Sequence, residues 1–365
     1  MLESPAHGAR ATDEPTPAEI KRAHRAQQGI DQLMKALDVL DFSPGTVHEI
    51  VTLQDEKRRS VYRVHTKGRP YDALIAKRAP TVEARREVPF YAEVLPALDL
   101  PALAMYGSAE DREREETWLF IENAAGEPYD RNDRGHCRLA GSWMGRFHAA
   151  GATTPLPHLA LRDRGPLHFG DHVVIARREL EKNRSNDALR PENLEMLGEL
   201  LRLVRTVDDK WADIVRFMSQ FPATFVHGDF KPDNLRIRAD GGRVDLVVFD
   251  WNEAGRGVPS LDWSRFLVSA NSTGSTTGSA PRDGAPSIHR LAPDLDAYLD
   301  VVCSVWGQLD SATVHRLGLF GELFHCVASI RWESARLAYS WVETPVVNLG
   351  FYRVWLEELM AELEL

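Results

Sequence analysis

Polar and apolar positions change their period twice along this chain of 365 residues. From Ile20 to about Leu40, IKRAHRAQQGIDQLMKALDVL returns apolar residues at the three-to-four spacing of a helix that buries one face. The period then falls to two. TVHEIVTL (46–53), SVYRVHT (60–66) and YDALIAKR (71–78) alternate between short polar connections, as half-buried strands do. A helical stretch follows over 81–100, in which Pro89 lacks an amide to donate and should kink or restart the helix. The charged loop SAEDREREE then leads to one more apolar strand, TWLFIEN (117–123).

Beyond Asn123 the helical period dominates, in HCRLAGSWMGRFHAAG, in the long run 189–221 and in most of 291–365. One strand-like pair at 223–251 interrupts it. Residues 1–19, rich in Pro, Ala and acids without periodicity, read as a flexible tail. The Ser/Thr/Gly/Pro tract 269–287 reads as a disordered surface loop, with a lid as the sharper alternative. The expected organisation is α+β: a tail and N-terminal helix over 1–40, a small sheet-plus-helix unit over 41–122, and a larger helical one over 123–365. The strand-and-loop insert of that larger unit is 223–253.

Composition narrows the function classes. A hydrophobic content of 43% fills a sizeable core, and 54 acidic against 44 basic residues give a formal charge of −10. That balance excludes nucleic acid and anionic membrane as main partners, since both need a basic footprint. It suits a cationic small substrate, although mild acidity also serves plain solubility. Cys137, Cys303 and Cys326 have neither metal-ligand spacing nor an even number for disulfides. No apolar run approaches the roughly 20 residues that span a bilayer, and the N-terminus lacks a signal pattern, so a cytoplasmic protein is expected.

The chemistry is concentrated in FVHGDFKPDNLRIR (225–238) and LVVFDWNEAG (246–255). Asp229, Asn234 and Asp250 are hard oxygen donors at or just past apolar strands, where a rigid support presents side chains. Mg²⁺ is held by a few such oxygens together with phosphate oxygens and water. An acid held off the metal can orient a hydroxyl and accept its proton. The reaction that this suits is metal-assisted phosphoryl transfer, which needs positioning and charge neutralisation more than covalent chemistry.

HGDFKPDN followed by VVFDW resembles the catalytic and metal-binding loops of the aminoglycoside phosphotransferase and choline kinase group of small-molecule kinases, relatives of protein kinases. The resemblance implies a two-lobed protein-kinase-like fold with ATP between the lobes. It implies that Asp229 receives the substrate hydroxyl, that Asn234 and Asp250 bind Mg²⁺, and that His227 supports the loop. Lys77 in YDALIAKRA then corresponds to the lysine on the α- and β-phosphates, and Glu87 to its glutamate partner, with Glu83 as competitor. Glu122 and Asn123 in WLFIEN correspond to the hinge that receives the adenine. WMGRFHAA resembles the helix before the substrate region, and Asp262 in GVPSLDWSRFL the acid that braces the catalytic loop. The likeness covers roughly 47–150 and 223–267. A natural-product antibiotic such as an aminoglycoside is the implied acceptor, with choline, homoserine or a thio-sugar as rivals, and GTP remains open beside ATP.

Two departures stand out. LQDEKRRSVYRV, where kinases have a glycine-rich phosphate loop, has no glycine, which leaves Ser60 and its neighbours for that contact. Asn252 follows DW where the group often has an acid, and Glu253 comes next. The missing glycines keep a nucleotide-binding scaffold in view; the absence of an A-P-E-like segment argues against a protein kinase. Glu253 and, at the far end, Glu343 are the candidates for a cationic substrate. His168, Asp171 and His172 in LHFGDH invite a metal reading, but no fourth ligand stands at a recognised spacing, and a polar loop is expected there.

Overall fold

The computed structural model describes residues 17–40, 46–56, 58–69, 71–264, 293–339 and 341–365. The tract 269–287 and most of the expected tail lie outside the described residues. In chain order the elements begin with α1 (Pro17–Asp38), β1 (Val47–Asp55), β2 (Ser60–Thr66), β3 (Ala73–Pro80) and α2 (Thr81–Pro89). After a π turn over Phe90–Val94 come α3 (Leu95–Ala97), β4 (Met105–Asp111), β5 (Glu116–Glu122), β6 (Glu127–Pro128) and α4 (Arg134–Thr153). Then follow β7 (Asp163–Arg164), α5 (Pro166–Asn183), α6 (Pro191–Asp209), α7 (Trp211–Met218) and β8 (Thr224–Val226). The remainder is β9 (Leu235–Asp240), β10 (Arg243–Val248), β11 (Gly255–Gly257), α8 (Ser260–Ser264), α9 (Leu295–Trp306), α10 (Ser311–Arg336) and α11 (Glu343–Leu363).

The chain divides into two compact units, one of Met1–Ala84 with Met105–Asn123, the other of Arg85–Ala104 with Ala124–Leu365. In the first, five antiparallel strands run in the order β1-β2-β3-β5-β4. The period-two pattern of β2 is obeyed residue by residue: Ser60, Tyr62 and Val64 are buried, while Val61 and Arg63 between them are not. The buried face packs with Leu74, Ala76 and Phe120 against Leu33 and Leu37 of α1, one helical turn apart. Each fully buried leucine of this kind contributes about 2 kcal/mol. Strand β4 was not expected; its residues fall partly in the charged SAEDREREE segment. It is an edge strand, where acids such as Glu110 can face water without leaving the ladder.

In the second unit, α5, α6, α10 and α11 supply one large apolar core. Leu197, Leu200, Leu201 and Val204 of α6 recur at helical spacing and are all within 2% of full burial. Two small three-stranded sheets, β10-β9-β6 and β7-β11-β8, sit among the helices. On α4, a Cβ at Gly141 would strike the backbone carbonyl of Asp294, and one at Gly145 would stand 3.0 Å from the Tyr298 carbonyl oxygen. These glycines admit α9 close to α4, which matters below because Tyr298 lies on α9.

Candidate active site

Strand β8 is wholly buried, and Thr224 Oγ1 fastens it to α4 by donating to the His148 carbonyl (2.6 Å). Past Val226 the chain turns through Gly228 at φ +77°, where a Cβ would run into the Glu253 carbonyl. Only glycine satisfies both conditions. The turn is held from behind by Asp262, which is fully buried. Its Oδ2 accepts from the His227 amide at 2.9 Å and its Oδ1 from the Gly228 amide at 2.7 Å. His148 Nε2 donates to the same Oδ2 at 3.0 Å, while Tyr298 Oη donates to His148 Nδ1 at 3.1 Å. Burial pushes the Asp262 carboxyl up, but the hydrogen bond from His148 and the one from the His227 amide hold it below the usual carboxylate range.

The sixteen-residue interval between Asn234 and Asp250 has a plain cause. Strands β9 and β10 form a two-residue hairpin in which Asp240 pairs with Arg243. Gly241 and Gly242, at φ +55° and +83°, make the tight turn whose twist suits such a hairpin. Its open end pairs Leu235 with Val248, and the Phe249 amide donates to the Asn234 carbonyl at 3.1 Å. The hairpin therefore returns the second strand end beside the first. His227 ties both together: its Nδ1 accepts from the Asp229 amide (3.2 Å) and its Nε2 donates to the Phe249 carbonyl (3.0 Å). That pair of bonds sets one tautomer.

Asp229 is 8% exposed. Asn234 Nδ2 donates to its carbonyl at 2.9 Å and to its Oδ2 at 3.2 Å, and Lys231 Nζ lies 2.7 Å from the same Oδ2. The single turn of 3₁₀ helix at Pro232–Asn234 fixes this approach, with the Asn234 amide on the Lys231 carbonyl at 2.9 Å. Asp250 adopts the left-handed conformation (φ 69°, ψ 65°), tolerated by aspartate better than by most residues. Its amide donates to Tyr91 Oη at 3.3 Å, and the next amide, of Trp251, donates to Glu87 Oε1 at 3.3 Å. Pro89 produces this contact. The helix it ends opens into the π turn, which buries Phe90 and Tyr91. Phe90 stacks on Trp251 with ring centres 5.3 Å apart. Burial, reinforced by the Glu87 charge, pushes the Tyr91 phenol well above its ordinary value, so it stays a neutral acceptor for the Asp250 amide.

The donor set fits a Mg²⁺ ion. With both Asn234 Nδ2 contacts directed at Asp229, the atom of that amide left for a cation is its oxygen. No group of three or more His, Cys, Asp and Glu side chains with metal-holding geometry occurs among the described residues. Asn234 and Asp250 would hold the ion in the manner usual for Mg²⁺, with phosphate and water oxygens completing the shell.

Among the expected site residues, Asp229, Asn234, Asp250, His227, Asp262, Glu87 and Glu253 come together in the second unit. The others lie elsewhere. Lys77 is on β3 of the first unit, opposite Val61 and Leu119; Glu122 ends β5 and Asn123 follows it, with Asn123 Oδ1 accepting from Arg63 at 3.3 Å. Glu83 pairs with Arg59 (2.7 Å) in that unit. Ser60 requires a correction. It pairs across the ladder with Arg78, on the face opposite to Lys77, and its hydroxyl accepts from Arg78 Nη2 (2.9 Å) and donates to Asp55 Oδ1 (3.2 Å). A fully buried hydroxyl so engaged does not meet a phosphate.

Glu253 and Glu343, expected to receive a cation, are not brought together either. Glu343 is exposed in the first turn of α11, where an acid favours the helix dipole. Glu253 is clamped by two arginines: Arg162 Nη1 at 3.0 Å and Arg164 Nη2, whose Nε also donates to the Glu253 carbonyl at 2.7 Å. Burial pushes the Glu253 carboxyl up, but Arg164 and then Arg162 bring it below the usual range. His168 and His172 lie on α5, not in a loop, and their Nε2 atoms are 3.3 Å apart. Arg162, Arg164 and Tyr91 went unnoticed as sequence; the alternation in LRDRG is the one available sign, since both arginines reach Glu253 while Asp163 between them is exposed.

Comparison with known families gives a match to the phosphotransferase enzyme family (APH) over residues 49–297. Comparison with curated proteins gives no match. Among solved structures, the choline kinase of Cryptosporidium parvum Iowa II aligns over 88% of this chain and 92% of its own, at 12% identity and a TM-score of 0.56. The GDP and kanamycin complex of APH(2″)-IIIa aligns over 88% and 95%, at 14% identity and 0.56. Spectinomycin phosphotransferase APH(9)-Ia, in complex with ADP and spectinomycin, aligns over 87% and 94%, at 10% identity and 0.54. At these identities the likeness is one of fold, a kinase-like α+β architecture.

Proposed function

The chain belongs to the phosphotransferase enzyme family, and from that premise we propose that it transfers the γ-phosphoryl group of a nucleoside triphosphate to a hydroxyl of a small natural product or metabolite. The observation that carries this reading is the convergence of Asp229, Asn234 and Asp250, two strand ends joined by one hairpin and by His227.

Asp229 orients the acceptor hydroxyl and takes its proton late, because a loose transition state puts more weight on alignment than on early proton removal. Asn234 Nδ2 holds the Asp229 carboxylate through Oδ2 and its backbone through the carbonyl, which keeps the side chain in one rotamer. Asn234 and Asp250 would hold Mg²⁺, which when bound neutralises phosphate oxygens. Asp262 and His227 keep the turn from relaxing, so the geometry exists before substrate arrives. In the first unit, the nucleotide contacts are assigned to Lys77, Glu122 and Asn123. The acceptor is less well served as a polycation: Glu253, whose carbonyl backs the Gly228 turn, is already held by Arg162 and Arg164.

The test is ADP release by the purified protein against a panel of aminoglycosides, other hydroxylated antibiotics, choline, homoserine and sugars, with and without Mg²⁺. Both ATP and GTP are used, since the similar structures include an ADP and a GDP complex. A Mg²⁺-dependent activity lost in Asp229→Asn supports the assignment. Turnover unchanged in that variant would remove Asp229 from the reaction.

A further inference from the structure

We propose that the acceptor carries a carboxylate or phosphate group and that Arg162 and Arg331 receive it, at a subsite beside the loop that bears Asp229. The proposal rests on the phosphotransfer reading above and names its substrate class.

The position follows from the small sheet β7-β11-β8. Strand β8 runs directly into His227, Gly228 and Asp229, and β11 pairs with it and with β7, which ends on Arg164. A Cβ built at Gly228 would lie 3.3 Å from Arg164 Nη2, so the basic segment touches the loop itself. Four residues past Arg164 the chain reaches His168, on the first turns of α5, and His172 one turn on. Arg331 of α10 meets them there, its Nη1 3.3 Å from a ring nitrogen of His172.

The charge is unbalanced. Glu253 is shared between Arg162 and Arg164, and Asp163 on the same strand accepts from the Gly165 amide at 2.7 Å. Arg331 has no carboxylate within ion-pair distance among the described residues; its side chain donates to a neutral ring. Burial first, then the charge of Arg331, pushes the His172 imidazole down to about 3, so it remains an uncharged acceptor throughout the physiological range. His172 thus aims the guanidinium without neutralising it. Burial and Arg164 likewise pull Arg162 below its ordinary value despite Glu253. With Arg162 and Arg164 sharing one acid and Arg331 holding none, the half-buried positive charge is under-compensated until an anion arrives, and guanidinium groups match the fork of a carboxylate or phosphate. In a chain of formal charge −10, such a patch beside the reacting loop is not a general property of the surface.

The experiment titrates inorganic phosphate, and separately glycolate, into the full-length protein saturated with Mg-ADP. It follows the imidazole resonances of His168 and His172 by NMR. Saturable shifts with either anion, weakened roughly tenfold in Arg331→Met and in Arg162→Gln, are expected; which anion binds names the group. No saturable shift with either, or an affinity in both variants equal to that of wild type, overturns the subsite. Should Arg331→Met fail to fold, Arg331→Lys and Arg162→Gln decide it, the first retaining charge but losing the fork. Absent Mg-ATP turnover with anion binding intact would defeat the phosphotransfer reading and leave the subsite standing.

Discussion

Replacing Asp262 by Asn tests whether the turn before Asp229 is held by one buried carboxylate. In the native protein two backbone amides and one imidazole converge on its two oxygens at 2.7–3.0 Å. An amide side chain offers one oxygen. Turned toward His227 and His148, it presents an NH₂ to the Gly228 amide; turned the other way, it presents one to two donors. The better orientation leaves a buried backbone N–H without an acceptor, about 1–3 kcal/mol, and converts two charge-assisted bonds into neutral ones, about 1 kcal/mol more each. The expected loss is therefore about 3–5 kcal/mol. A unit of this size shifts its melting temperature by roughly 2 °C per kcal/mol, so a fall of about 6–10 °C should appear by calorimetry. The pH profile adds a sign. The folded-state pKa of Asp262 is depressed, so its contribution is present above the ordinary carboxylate value and is lost as pH falls toward the folded one. Wild type should lose stability on that acid limb more steeply than Asp262→Asn. A variant melting within a degree of wild type, with the same acid limb, would refute the argument.

Three further outcomes follow from the same geometry. Asp229→Asn should lower turnover by about 10²–10⁴ while leaving nucleotide affinity and melting temperature unchanged, measured by coupled assay and calorimetry. Gly228→Ala sets a Cβ against the Glu253 carbonyl at φ +77° and should destabilise by several kcal/mol, seen as a lower denaturant midpoint. Asp250→Asn should raise the Mg²⁺ concentration needed for half-maximal rate at least tenfold; an unchanged Mg²⁺ curve would remove it from the metal shell.

Much of the fold was readable because its elements depend on short-range signals. The alternation of SVYRVHT and the helical spacing of Leu197, Leu200, Leu201 and Val204 each report a buried face directly. Strand β4 was missed because an edge strand can carry acids, so hydropathy there resembles a loop. The Asn234 to Asp250 interval could be read as two strand ends, but the Gly241-Gly242 turn explains why they meet. Ser60 went astray for a different reason. A missing glycine loop drew attention to the nearest hydroxyl, whereas register decides its face and gives it to Arg78. The Arg331–His172 contact joins residues 159 positions apart, and no local pattern reports such a pairing.

The Glu253 clamp shows how an acid in a suggestive place can alter the chemistry expected of it. Two residues past the buried Trp251, a glutamate reads naturally as a handle for a cationic amine. Yet the same three-residue turn that seats Trp251 presents the Glu253 carbonyl to Arg164, and the carboxylate follows its backbone into the same guanidinium and that of Arg162. An incoming ammonium would have to displace two charge-assisted partners, each worth about 1.5–3 kcal/mol. Among the described residues, an incoming anion meets no carboxylate at Arg331, whose partner is a neutral ring. Discrimination between these substrates would then come as much from what Glu253 no longer offers a cation as from what Arg331 offers an anion, with repulsion and attraction acting in the same direction.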